Sequence, residues 1–288
     1  MPKVKKIFSS LIFNFSFLIS FAQTNLVINP SFENYSGCPT STAGEVNKAI
    51  GWDTCRSSSD YFNVCGAVTD IQIPKNLLGF QNPANGNAYC GFCTYSSSQF
   101  YRELIVGQLT SPLVVSQKYY ISFKVSRADS NMFIGYSSNK TGVKFTKVKQ
   151  SYVTINNTAH YYSNTVITDT INWTKIFGSF VSDSAYQYLM IGNFFDDANT
   201  TTFNHGNGVV AYYYIDEVCI SIDSSFTENY ATDINILSIE DDLNVFPNPA
   251  DGFFNVDGLI GNEIKIFNLF GEEVFKSEIK NKSFSIVC

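Results

Sequence analysis

Hydrophobic and polar residues alternate along much of this chain with a period of two. Over residues 118–126, Tyr119, Ile121, Phe123 and Val125 take turns with Tyr120, Ser122, Lys124 and Ser126, which predicts a strand with one buried face. Similar runs occupy 100–108, 143–148, 152–155, 173–181, 186–194 and 209–222. No segment carries the period of a long helix. Clusters of Asn, Gly, Ser, Thr and Asp separate the runs, as at 81–87 and 196–208, and mark turns and surface loops. Short strands divided by such loops predict an all-β chain whose larger part is an antiparallel two-sheet β-sandwich or jelly roll.

The pattern breaks twice. Near the start, Lys3, Lys5 and Lys6 precede an apolar run from Ile7 to Phe21, and Ser20 and Ala22 put small residues before a cleavage point after Ala22. This is the three-part signal peptide, over residues 1–22. The apolar run is shorter than the roughly 20 residues that span a bilayer, and none of that length follows, so no transmembrane segment is expected once the signal is removed. The second break is at 223–242, where Ser, Thr, Asn and acids replace the aromatic strands, as in a linker. Beyond it, 243–246, 253–256, 263–269 and 274–279 alternate again around the turn Pro247-Asn248-Pro249-Ala250-Asp251-Gly252, and 270–273 reads as a hairpin. The two prolines fix φ and withhold N–H donors, which stops one strand and starts a turn. The sequence therefore divides into a signal at 1–22, a large β domain at 23–222, a linker at 223–242 and a small β domain at 243–288.

Composition narrows the function classes. Of 288 residues, 44% are hydrophobic and 16% aromatic, too apolar for a disordered chain. The formal charge of -6 becomes -9 when the signal's three lysines leave, the opposite of what a duplex-binding protein needs, so no nucleic acid partner is expected. Export also bears on the cysteines. Cys38, Cys55, Cys65, Cys90, Cys93 and Cys219 form an even set in the large domain and are expected to be disulfides, with the connectivity open among 15 pairings. Cys90 and Cys93 also spell CxxC, a redox or zinc pattern, but no helical period follows it and no second pair or nearby His supports it. Cys288 is the odd cysteine.

The small domain resembles the type A sorting domain of the Bacteroidetes type IX secretion system. The resemblance is carried by Val245-Phe246-Pro247-Asn248-Pro249-Ala250, then Phe253-Phe254-Asn255-Val256, then the run from Ile264 to Val274 that contains Gly271. It implies a small β-sandwich whose partner is the type IX machinery, with Pro247, Asn248, Pro249 and Gly271 as sorting-motif residues. Such domains usually close with a Gly-Tyr-containing strand and a Lys-rich or apolar tail, whereas this chain stops at Phe284-Ser285-Ile286-Val287-Cys288. A truncated sorting domain is therefore expected, an incomplete sandwich lacking its final strand and exposing a sheet edge. The product would be secreted or held on the outer cell surface, or retained in the periplasm if the truncated domain fails.

The large domain resembles the galactose-binding-like jelly rolls of Bacteroidetes surface proteins. The run from Asn25 to Glu33 and the run from Tyr212 to Val218 carry the likeness, with Asp60-Tyr61-Phe62-Asn63, Tyr101-Arg102-Glu103 and Ile191-Gly192-Asn193-Phe194 between them. In related carbohydrate-binding jelly rolls these two ends meet and hold a structural calcium ion. By that resemblance Glu33 and Asp216 are the carboxylate ligands of a Ca2+, completed by backbone carbonyls and loop amides. Glu217, the next residue along a strand, should point to the opposite face.

Other candidate chemistry is sparse. Asp196, Asp197 and His205 share a loop that reads as solvated rather than as an acid-base pair. With two histidines, no HExxH, no GxSxG and no phosphate loop, nucleophilic and phosphoryl chemistry is unsupported. Aromatic residues among Asn, Gln and Arg, for example Tyr61, Arg102 and Tyr152, suit stacking on sugars. Asp169-Thr170-Ile171 and Asp183-Ser184-Ala185 resemble O-glycosylation acceptors of exported Bacteroidetes proteins. The expectation is a secreted or surface non-catalytic binding protein for a polysaccharide or surface glycan. A structural or adhesion module for a protein partner and a glycoside or ester hydrolase are the alternatives, the last requiring two carboxylates or a Ser-His pair in one pocket.

Overall fold

The computed structural model describes residues 24–41, 44–130, 132–230, 244–246, 253–257, 263–267, 273–278 and 283–287. The expected signal peptide at 1–22, the expected sorting-motif residues Pro247, Asn248, Pro249 and Gly271, and Cys288 lie outside these residues. The chain forms two compact units, Met1–Ala231 and Thr232–Cys288.

The first unit is a sandwich of two five-stranded antiparallel sheets. One has the order β1 (Trp52–Arg56), β6 (Leu104–Gln108), β12 (Tyr188–Asn193), β9 (Thr141–Thr146), β10 (Tyr161–Tyr162). The other has the order β11 (Thr174–Val181), β7 (Lys118–Arg127), β14 (Val210–Ser221), β5 (Ala88–Ser96), β2 (Asp60–Asn63). Short ribbons, β3 (Lys75–Asn76) with β4 (Gly79–Phe80) and β8 (Tyr136–Ser138) with β13 (Thr202–Asn204), extend the loops. Tyr119, Ile121, Phe123 and Val125 of β7 face the inter-sheet core, together with Cys90 and Phe92 of β5 and Tyr213 and Ile215 of β14. Leu189 and Ile191 of β12 meet them from the opposite sheet.

Two further apolar clusters lie outside that core, and they change how the strands read. Phe62, Tyr89, Cys93, Tyr212 and Tyr214 pack together, as do Cys55, Leu104, Val106, Met190 and Phe194. Strand β5 is central and buried along nearly its whole length, so its sequence shows no alternation and resembles a Gly- and Tyr-rich turn. The expected strand at 152–155 does not form; Val153 and Ile155 instead pack against the Cys55 cluster while Arg56 Nη1 donates to Val153 O at 2.9 Å. Residues 223–230, expected to open the linker, are also different. Asp223 caps a short helix, α1 (Ser224–Glu228), and Ser122 Oγ of β7 donates to Thr227 O at 2.8 Å. The remainder of the expected linker is outside the described residues.

In the second unit, β15 (Asn244–Phe246), β16 (Phe253–Asp257) and β19 (Ser283–Val287) form one sheet, and β17 (Glu263–Phe267) pairs with β18 (Glu273–Glu278). Ser283–Val287 pairs antiparallel along all of Phe253–Asp257, and as an end strand of its three-stranded sheet it pairs with β16 alone among the described residues.

Candidate functional site

A cavity of about 220 Å3 lies outside the second sheet of the first unit, between β2, β5 and β14. Its wall is apolar and aromatic, with Phe62, Leu77, Leu78, Tyr101, Phe133 and Tyr212. Two acids, Asp60 and Glu103, are set into it, 6% and 4% exposed.

Each acid is held by identifiable geometry. Asp60 opens β2 and pairs with Gly91 of β5. Because Gly91 has no side chain, the Tyr212 ring lies across it, and a Cβ there would stand 2.5 Å from the Tyr212 hydroxyl. Tyr212 thus reaches Asp60 and donates to Oδ2 at 2.6 Å, while Gly44 N donates to Oδ1 at 3.2 Å. Glu103 precedes β6 and forms a closed ring with β5. Its N–H donates to Cys93 O at 2.8 Å, and its Oε2 accepts from Cys93 N at 2.7 Å. Oε1 accepts from the Tyr101 hydroxyl at 2.8 Å and from Ser58 Oγ at 3.3 Å. Arg102 turns the other way, donating to Phe195 O at 3.1 Å, Tyr101 O at 2.8 Å and Asp197 Oδ1 at 2.7 Å. It is fully buried and anchors the segment that presents Tyr101 and Glu103.

Burial, and then the charge of Glu103, push the Asp60 carboxyl up to about 8. Burial likewise raises Glu103, against the opposing pull of its hydrogen bonds. Burial in one apolar recess therefore raises the proton affinity of both carboxyls, and the charge of Glu103 adds to the shift of Asp60. Neither was singled out as a site residue from sequence. The available signal was an acid inside or beside a strand in a chain with only 15% charged residues.

Glu33 and Asp216 occupy a second place. The ends of the domain meet there: Leu26 N donates to Ile220 O at 2.8 Å, Val218 N to Pro30 O at 2.9 Å, and Asn25 Nδ2 to Val218 O at 2.8 Å. Both carboxylates converge on one loop. Asp216 Oδ2 accepts from Ala84 N at 2.9 Å and Asn85 N at 3.0 Å, and Glu33 Oε1 accepts from Asn87 N at 2.8 Å. Gly86, at φ 68°, lies so close to the Glu33 carboxylate that no side chain fits. Burial, and then Glu217, raise Asp216 well above the carboxylate range, with Glu33 adding to the shift; burial also raises Glu33. Glu217 adopts φ 54° and turns its carboxylate to Lys124 Nζ at 2.6 Å, so Asp216 alone faces the Glu33 loop. Among the described residues no group of three or more His, Cys, Asp or Glu is gathered for a metal. The donors present fit a hard cation only if backbone oxygens complete the shell. In favour of that fit, the hydrogen-bond partners of both carboxyls are backbone N–H groups, and a cation there would stabilise the ionised form that burial disfavours.

Several expectations are corrected. Cys38 and Cys65 are joined, but Cys55, Cys90, Cys93 and Cys219 are buried free thiols. Strand geometry explains this: Cys90 and Cys93 lie three apart on β5 and enter different clusters, while Cys55 belongs to a third on the other sheet. The CxxC thus has its sulfurs on opposite faces. Tyr61 is a core residue donating to Phe32 O at 2.9 Å, and Arg102 is structural, so of the three example sugar-stacking residues only Tyr152 is exposed. Arg56 lies over the Tyr152 ring at 5.3 Å and the Phe100 ring at 5.9 Å. In the loop at 196–208, Asp196 caps a short turn, Asp197 pairs with Arg102, and His205 Nε2 meets Ser137 Oγ at 2.9 Å.

Residues 244–287 match the family described as the secretion system C-terminal sorting domain. No curated protein sequence matches the chain. Among solved structures, it is similar to the CBM22-1 xylan-binding domain of Paenibacillus barcinonensis Xyn10C, at 13% identity and TM-score 0.35, covering 70% of this chain and 97% of that one. It is similar to the K3 cleaved adhesin domain of Lys-gingipain from Porphyromonas gingivalis W83, at 13% identity and TM-score 0.35, covering 69% and 98%. The third is TmCBM61, solved with beta-1,4-galactotriose, at 12% identity and TM-score 0.33, covering 68% and 97%.

Proposed function

We propose that a chain whose residues 244–287 match a secretion sorting domain exports its β-sandwich to the cell surface or beyond as a glycan-binding module. The observation that carries the reading is the cavity beside β2, β5 and β14. Aromatic and aliphatic side chains there suit the C–H face of a sugar ring, and Asp60, Glu103 and the Tyr101 hydroxyl stand as polar groups that fix its orientation. At about 220 Å3 the cavity is smaller than the roughly 300–1,000 Å3 of sites for drug-sized ligands, so it suits one sugar unit of a longer chain.

A calcium ion at Glu33 and Asp216 belongs to the same reading. It would compensate two carboxylates that face one loop, and so tie the two ends of the domain to residues 84–87. Its role is structural, since these residues are not among those lining the cavity.

The test is a glycan array probed with the full chain in calcium, beside Leu78→Trp, which fills the cavity. Binding that the substitution abolishes supports the reading. Binding to no glycan, or binding that Leu78→Trp leaves intact, overturns it. One observation favours a second reading, glycosidic hydrolysis: Asp60 and Glu103 are two carboxyls in one recess with raised proton affinities. Release of new reducing ends from a bound glycan, lost in Glu103→Gln, would select it.

A further inference from the structure

The walls of the cavity are one-signed. Among the described residues that line it, three are acids, Asp60, Asp70 and Glu103, and none is Lys, Arg or His. Arg102, the chain neighbour of Glu103, does not offset them, because its guanidinium is committed to Phe195 O, Tyr101 O and Asp197. Sugar hydroxyls can donate to a carboxylate, yet they leave its charge in place. An ammonium group donates three hydrogen bonds and also neutralises, and the ring quadrupoles of Phe62, Tyr101, Phe133 and Tyr212 attract the same charge.

We propose that this cavity selects a sugar unit bearing a protonated amine, a 2-amino-2-deoxyhexose, over its N-acetylated counterpart and over uronic acids. The inference rests on the glycan-binding reading and names the ligand class of that same site. N-acetylation removes the charge and adds bulk to a small recess. A uronate brings a negative charge toward Asp70 and Glu103, and is repelled, whereas an ammonium displaces the proton that Asp60 holds at neutral pH and takes its place as the counter-charge. Burial already raises both buried carboxyls, and the charge of Glu103 adds to the shift of Asp60, a penalty that a bound cation relieves.

Isothermal titration of the full chain at 150 mM salt tests this with three probes: a β-1,4-glucosamine oligomer, the same oligomer fully N-acetylated, and a galacturonic acid oligomer. The amine is expected to bind at least tenfold tighter than its acetylated form, with no binding of the acid. Glu103→Gln should reduce that preference by about tenfold. Asp183→Asn, which removes an equal charge from an exposed loop, should leave it unchanged and so separates a pocket effect from general attraction of a polycation to an acidic protein. Tryptophan fluorescence of both variants establishes that they fold, and Asp60→Asn serves as the second pocket variant if Glu103→Gln does not. Equal or tighter binding of the acetylated oligomer overturns the amine assignment while leaving a glycan-binding module. A preference that survives both pocket substitutions, or falls equally in Asp183→Asn, also overturns it. Binding of no sugar here or on the array overturns both readings.

Discussion

The substitution D60N isolates the most perturbed acid of the cavity. With its carboxyl at about 8 in the folded chain against an ordinary 3.8, Asp60 holds a proton that the unfolded chain has released over that whole interval. The folded pKa is raised, so its stabilising contribution is complete below pH 4 and is lost as pH rises toward 8. One proton corresponds to about 1.4 kcal/mol per pH unit, so the loss across the window is on the order of 5 kcal/mol. An amide keeps the shape of the side chain and one acceptor oxygen but cannot ionise; the NH2 that replaces the other oxygen turns an acceptor into a donor, a cost that does not change with pH. Relative to the wild type, D60N should therefore gain stability progressively from pH 5 to 8. Urea unfolding followed by tryptophan fluorescence reads this directly, because the only two tryptophans, Trp52 and Trp173, belong to the first unit. Other titrating groups of that unit largely cancel in the difference. Parallel pH profiles for the two proteins would refute the placement of Asp60 in a desolvated, like-charged recess.

Gly91→Ala should displace the Tyr212 ring, destabilising the first unit by about 1–3 kcal/mol in urea titrations and abolishing glycan binding, since a Cβ would meet that ring at 2.5 Å. Replacing Cys38 and Cys65 by Ser opens a loop with a sequence separation of 27 and should cost about 3.5 kcal/mol, measured the same way; Cys55, Cys90, Cys93 and Cys219 should react with a thiol reagent only after unfolding. If Glu33 and Asp216 hold calcium, 100-fold excess over its dissociation constant should add about 2.7 kcal/mol to stability, and EDTA should remove it; Asp216→Asn should abolish the response. A reporter fused to residues 240–288 should be exported in a type IX-competent host, and retention of the reporter would show that this segment does not direct sorting.

Strand β7 was legible because its apolar residues, Tyr119, Ile121, Phe123 and Val125, recur at every second position and all enter the same core. Strand β5 was not, since burial on both faces erases that alternation and leaves a run resembling a turn. The sorting segment was legible as a motif, because its short turn and strand residues follow one another in the chain. Glu33 and Asp216 could be paired only through a resemblance, and the shared loop at 84–87 that joins them has no signature of its own.

Sequence by itself determined the period of the strands and the sorting motif, both of which are written in residues close together along the chain. Tertiary structure alone decided which cysteines could meet, because the pleat sends neighbouring sulfurs of β5 into separate clusters. It alone also brought Asp60 and Glu103 to one recess. The first opens β2 and the second precedes β6, strands of different sheets, and they come together through β5, whose Gly91 makes room for a tyrosine and whose Cys93 backbone grips the second acid. Such proximity is a product of strand order and the missing Cβ of one glycine, neither of which a linear pattern of residue types records.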